Sequence, residues 1–119
     1  MANPAIQNLY QSQKVFFHSG KTREIGFRID ALKKLQETIF AHEKDICAAV
    51  FADLHKEETD AYATEISGIY DEIKNAVSNI RDWAAREKVP TPGFLMPSKS
   101  YIYKEPYGVT LIIAPWNYP

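Results

Sequence analysis

Apolar residues recur at helical spacing along the first two thirds of the chain. Ile6, Leu9, Tyr10, Phe16 and Phe17 share one face of a helix. Asn3 and Pro4 precede them as N-cap and first helical residue: the asparagine oxygen can accept an otherwise orphan amide, and proline has no amide to leave orphaned. Gly20 is the natural stop, since it enters the left-handed region without steric cost. A second helix is expected from Thr22, with a stripe of Ile25, Ile29, Leu32, Leu35, Ile39 and Phe40 and with Arg28, Lys33, Lys34 and Glu37 off it. A third, about Glu43 to Leu54, carries Ile46, Cys47, Val50, Phe51 and Leu54. The longest runs from Thr59 to about Arg86, where Tyr62, Ile66, Ile69, Ile73, Val77, Ile80 and Trp83 recur every three or four residues.

The periodicity then changes. "KVPTPGFLMPSKS" (Lys88 to Ser100) holds three of the seven prolines and a glycine, which predicts an extended connection. "YIYKE" (Tyr101 to Glu105) alternates like a half-exposed strand, "PYG" turns the chain, and "VTLIIA" (Val109 to Ala114) predicts a second strand. Leu111, Ile112 and Ile113 do not alternate, so both faces of that strand must be covered, as in the centre of a parallel sheet flanked by helices. The expected fold class is therefore α/β, in three stretches. Residues 1–87 are helical, 88–107 form a linker and an arm strand in a hairpin-like arrangement, and 108–119 begin a larger sheet domain. That strand has no neighbours among the residues up to Pro119, so the chain is expected to be a piece of a longer one. An uncovered edge of this kind also predicts poor solubility or self-association.

Composition narrows the partners. Hydrophobic residues make up 45% and charged residues 24%, an ordinary globular balance, so the stripes have enough apolar material for one core. Fourteen basic residues against fifteen acidic ones give a net charge of -1, without the basic stripe that nucleic acid requires. The longest apolar run, "ICAAVFA", is too short to span a membrane, and the N-terminus has no charged-then-apolar secretory signal. A single cysteine excludes an internal disulfide and makes a reducing, cytoplasmic setting the default. Neither a repeat nor a low-complexity tract is present.

Several tempting motifs fail on spacing. "SGKT" (Ser19 to Thr22) resembles the end of a phosphate loop, but the required earlier glycine is Val15, and a helix precedes it instead of a strand. A helix stop and then a new start fits better. His42-Glu43 would need a second histidine where Ile46 stands, His55 has no second ligand at metal spacing and reads as a helix-end residue, and His18 is uninformative; no metal site is expected. Cys47, flanked by Ile46 and Ala48 on the buried stripe, is better read as core packing than as a nucleophile. Gly108 precedes its strand, so it is no dinucleotide fingerprint.

"PWNYP" (Pro115 to Pro119) is different. In open α/β sheets ligands bind just outside the carboxyl ends of the strands, where this loop lies. Two prolines and two aromatics restrain Asn117, whose amide is an uncharged donor of the type that stabilises an oxyanion. From residue type alone, a tight strand exit whose asparagine satisfies local backbone groups is the favoured reading, with the oxyanion role as its alternative.

The stretch "EPYGVTLIIAPWNYP" (Glu105 to Pro119) resembles the signature strand and loop of the aldehyde dehydrogenase superfamily. "FFHSGKTREIGFRIDALKKL", "DLHKEETDAYATEI" and Trp83 with its proline-rich continuation resemble the class-3 and fatty aldehyde dehydrogenase branch, so the likeness covers nearly the whole chain. The resemblance implies NAD(P)+-dependent oxidation of an aldehyde to a carboxylic acid through a cysteine thiohemiacetal. It implies that 108–119 begin a Rossmann-like coenzyme domain and that the nucleophile lies beyond these residues, leaving the chain inactive alone. By the same resemblance Asn117 holds the oxyanion, Ile113, Ala114, Pro115 and Trp116 line the nicotinamide end of NAD or NADP, and Tyr118 borders the substrate passage. The strand Tyr101–Glu105 then meets a second subunit of a homo-oligomer, a dimer. Gly68 stands where class-3 relatives can present an aromatic to the substrate, which leaves aldehyde preference open. The competing expectation is a non-enzymatic helical interaction module, which explains the helical stripes but not the doubly apolar strand and its stiff loop.

Overall fold

The computed structural model of the chain describes residues 3–115 and Asn117. Helix α1 spans Pro4–His18, capped as expected: Ala5 N–H donates to Asn3 Oδ1 at 3.0 Å, and Gly20 comes next but one at φ 79°. Helix α2, Ile25–Ala41, starts later than Thr22 because Lys21–Arg23 forms a separate 3₁₀ turn. Arg28 Nε, one turn into α2, donates to the Thr22 carbonyl at 2.6 Å and fastens that turn to the helix. Helix α3 is Glu43–Leu54, with Glu43 and Asp45 in its first turn, where carboxylates oppose the positive end of the dipole. It ends on His55 at φ 56°, the expected helix-end position.

The long C-terminal helix forms, but not as a uniform one. α4 (Glu58–Ala61) leads into a π turn (Tyr62–Ile66) and then α5 (Ser67–Trp83), with helical backbone at both joins. A π turn inserts a residue and rotates the helix beyond it. The buried and half-buried stripe beyond the π turn runs Ile66, Tyr70, Ile73, Val77 and Ile80, with Ile69 off it and 42% exposed. Cys47, Val50, Ala61 and Ile66 form the core cluster, with Ile39, Ile46 and Tyr70 packed against it. Cys47 is thus a buried packing residue, as its sequence context predicts.

The arm differs from expectation at both ends. Glu87–Val89, expected to be helix end and linker, forms strand β1 and pairs antiparallel with β2, Ser100–Ile102, placing Lys88 opposite Tyr101. Because β1 offers only three residues, Tyr103–Glu105 of the expected arm strand run past the ladder. Residues 109–114 belong to no sheet among the described residues; a strand exists by pairing, and β1 and β2 are the two strands of this sheet. The chain is correspondingly open. Its radius of gyration is 20.2 Å, against about 13.5 Å for a compact domain of this length. Its accessible surface is 9994 Å², against about 6,600 Å² for a compact chain of this mass.

Candidate active site

The segment that leads to Asn117 starts at Gly108. Its φ of 111° lies where side chains are excluded, and a Cβ there would stand 3.4, 3.6 and 3.7 Å from Cε1, Cδ1 and Cζ of Phe17. Val109, Thr110 and Leu111 then run beside α1, separated from Ile6, Leu9, Tyr10 and Gln13 by a groove of ≈480 Å³. Beyond it Leu111, Ile112 and Ile113 are 82%, 87% and 82% exposed. Ala114, Pro115 and Asn117 are exposed as well. Of the expected site residues, Ile113, Ala114, Pro115 and Asn117 therefore lie on one exposed, unpaired stretch, while Trp116 and Tyr118 fall outside the described residues.

Arg86 braces the arm from within, and an exposed ion pair links its exit to the 3₁₀ turn. The Arg86 guanidinium lies over the Tyr101 ring, 4.4 Å from its centroid, and donates to Tyr103 Oη at 3.4 Å. Arg23, on the 3₁₀ turn, pairs with Glu105 at 3.2 Å. Gly108 lies three residues further on, so the turn between α1 and α2 and the glycine seat on Phe17 bracket the start of the segment.

The helical body holds two polar ties that periodicity does not reveal. Glu65, on the π turn, has a side chain 2% exposed and is paired with Lys56 Nζ, while Thr64 Oγ1 donates to the same Oε1 at 3.0 Å. The Lys56 ammonium, more than any other neighbour, holds the Glu65 carboxyl below the usual glutamate range against the opposing effect of burial. Tyr70 Oη donates to Glu43 Oε1 at 2.5 Å, joining α5 to α3. Burial first, then that carboxylate, pushes the Tyr70 phenol up to about 12.

Neither tie is a reaction centre. Cys47 borders a shallow hollow with Lys44, Phe51 and Glu58, its Sγ 4.0 Å from the Glu58 carbonyl, and serves the core cluster. Among the described residues no group of three His, Cys, Asp or Glu could hold a metal, and no helix is long and apolar enough to cross a membrane. What the exposed stretch offers is an uncharged amide donor at the end of a segment with unpaired strand backbone.

The chain as a whole has known relatives. The model of the aldehyde dehydrogenase family matches residues 3–119, and the chain belongs to that family. It is similar to the 4,4'-diaponeurosporen-aldehyde dehydrogenase of Staphylococcus aureus, 46% identical over 114 residues that cover 96% of this chain and 25% of that protein. It is also similar to the dimeric NADP-preferring aldehyde dehydrogenase of the dog, 42% identical over 96% of this chain and 25% of that protein. The solved structure of a substrate-bound state of Staphylococcus aureus AldH superposes with a TM-score of 0.80 and 41% identity, covering 90% of this chain and 23% of that one. The chain thus spans about a quarter of the length of the relatives it matches. The helices and two-stranded antiparallel arm are those of an α/β aldehyde dehydrogenase.

Proposed function

We propose that this chain is the N-terminal portion of an NAD(P)+-dependent aldehyde dehydrogenase that oxidises aldehydes to carboxylic acids, and that it is inactive alone. The observation that carries the proposal is the exposed run of residues 109–115, largely apolar and in no sheet among the described residues, with the exposed Asn117 just beyond it. Its side chains need covering on both faces, and a coenzyme domain's remaining strands and helices would cover them.

The residues present suit the nicotinamide end of such a coenzyme. Ile113, Ala114 and Pro115 are uncharged and exposed, so they offer an apolar wall with free backbone groups. NAD+ or NADP+, when bound, accepts the hydride that leaves the substrate carbon. Asn117 supplies the step this chain can make its own. As a thiolate elsewhere in the full protein adds to the aldehyde, the carbonyl oxygen gains charge, and the Asn117 amide donates to it without taking on charge itself. Trp116 extends the coenzyme wall and Tyr118 borders the substrate passage. The arm of β2 and Tyr103–Glu105 meets a second subunit; the name of the canine relative, a dimeric enzyme, supports that assignment. The aldehyde, a homodimer and a cytoplasmic setting complete the proposal, and Cys47 has no part in the chemistry.

A chimera tests it: residues 1–119 replace the matching quarter of the Staphylococcus aureus relative, and NAD(P)H formation is monitored with aliphatic and aromatic aldehydes. Turnover is expected in the chimera and none in the 119-residue chain. Asn117→Ala should lower kcat by ~10²–10³. Full activity of that variant would remove Asn117 from the mechanism.

A further inference from the structure

Helix α1 has no buried residue, yet it is well formed and capped. At its C-terminal end Phe16 meets Phe27 of α2, 5.7 Å between ring centroids, and another face looks onto the chain that lies along it. Ile6, Tyr10, Gln13 and Phe17 form one stripe, each a turn from the next, and the chain leaving Gly108 runs back along that stripe. At its start Gly108 meets the Phe17 ring. The three Phe17 carbons lie at nearly equal distances from the Cβ position of Gly108, which places that position over the ring face; an approach to the ring edge would spread them. A methyl would only touch the ring there. The backbone at φ 111° is what bars it.

We infer that α1 is a rail that aims the segment carrying Asn117, with Gly108 seated on Phe17 as the point that sets its direction. Gly108 is on this view a positioning residue, acting on the reaction through Asn117; the inference rests on the dehydrogenase function proposed above. A side chain at Gly108 must rotate φ out of the left-handed region. Every residue from Val109 onward then leaves α1 at a different angle, and nothing in the described residues recaptures it by strand pairing.

Two measurements decide it. In the 119-residue chain, the Gly108 Hα that occupies the Cβ position sits over an aromatic face, so its NMR resonance should lie upfield of ordinary glycine. It should return to the ordinary range in Phe17→Leu. An ordinary shift in the parent chain overturns the seat. In the chimera, Gly108→Ala and Phe17→Ala should each lower kcat per folded molecule by roughly 10- to 100-fold, the cost of a misplacement of about 1 Å. Coenzyme KM should rise as kcat falls, because Ile113, Ala114 and Pro115 ride on the same segment, and Phe17→Tyr, which keeps the ring, should keep both. A seat that only stabilises the fold would reduce the yield and melting temperature and leave kcat per folded molecule unchanged, which overturns the positioning role. A chimera with no turnover sinks the dehydrogenase proposal and the positioning role with it, while the resonance judges the contact separately.

Discussion

Ile66→Ala and Ile113→Ala remove the same three carbon atoms from opposite environments. Ile66 is 1% exposed at the centre of the core cluster, and Ile113 is 82% exposed on the unpaired segment. Withdrawing three buried carbons costs about 2.4 kcal/mol in transfer alone, and the cavity left in the cluster brings the loss to about 3–4 kcal/mol. At Ile113 less than a fifth of the side chain is covered, so the same substitution should cost less than about 0.5 kcal/mol. Urea titration of the 119-residue chain, monitored by helical circular dichroism, measures both. Ile66→Ala should move the midpoint by that amount or abolish the folded baseline, and Ile113→Ala should leave it unchanged. In the chimera the order changes: Ile113, covered on two faces, should then cost about 2–4 kcal/mol. An Ile113→Ala chain already destabilised as much as Ile66→Ala would show the segment packed in isolation and refute the reasoning.

The polar ties and the open surface carry three further expectations. The Glu65 pKa is lower folded than unfolded, so its stabilisation is present above the unfolded value and lost as pH falls through the folded one. Lys56→Met should reverse that slope, leaving a chain weakened at neutral pH that recovers on mild acidification; parallel pH–stability curves would contradict this. Tyr70 is raised from 10.0 to about 12, so its contribution is complete below pH 10 and disappears as pH rises toward 12. Tyr70→Phe should flatten the loss of stability over that interval, and an unchanged alkaline slope would count against the Tyr70–Glu43 tie. Finally, the accessible surface exceeds that of a compact chain by about 3,400 Å², more than a standard interface buries. Sedimentation should therefore show concentration-dependent self-association, which the charged variant Ile112→Lys reduces; a parent chain monomeric at high concentration would overturn this.

How legible the structure is in the sequence depends on where each feature draws its stability. Helices α1 and α3 are legible almost to the residue, because Asn3, Pro4 and Gly20 act locally and the stripe of Ile46, Cys47 and Val50 is the face that packs. The π turn at Tyr62–Ile66 is not, since hydropathy counts residues at a fixed pitch and cannot register one inserted by packing. Nor does hydropathy select Tyr70 over Ile69, yet Tyr70, polar at its tip and satisfied by Glu43, takes the place on the packed face. Glu65 is buried through a lysine nine residues upstream across a bend, and strand β1 is three residues of mixed polarity defined by its partner. The doubly apolar Leu111–Ile113 predicts two covered faces, but among the described residues the run is exposed and unpaired. At the candidate site Asn117 stands out by residue type, whereas the Phe17–Gly108 seat joins distant stretches and leaves no local signature.

The proposed oxyanion role of Asn117 asks for more rigidity than the chain alone supplies. A neutral donor stabilises an oxyanion only when it waits at the right place; a donor that must search for it loses most of its contribution to reorganisation. Here the segment is held at its origin, by Gly108 against Phe17 and by Arg23 on Glu105, and Ile112 and Ile113 beyond are open to solvent. Origin and span are thus separate tasks. The helical portion fixes the direction in which the segment departs, and strand pairing along 109–114 would fix how far Asn117 can stray once it has departed. Loss of the first should therefore appear as misdirection, with kcat and coenzyme KM both altered while the span itself stays ordered. Loss of the second should appear as looseness, with coenzyme binding and kcat declining together, because the wall formed by Ile113, Ala114 and Pro115 moves with the amide.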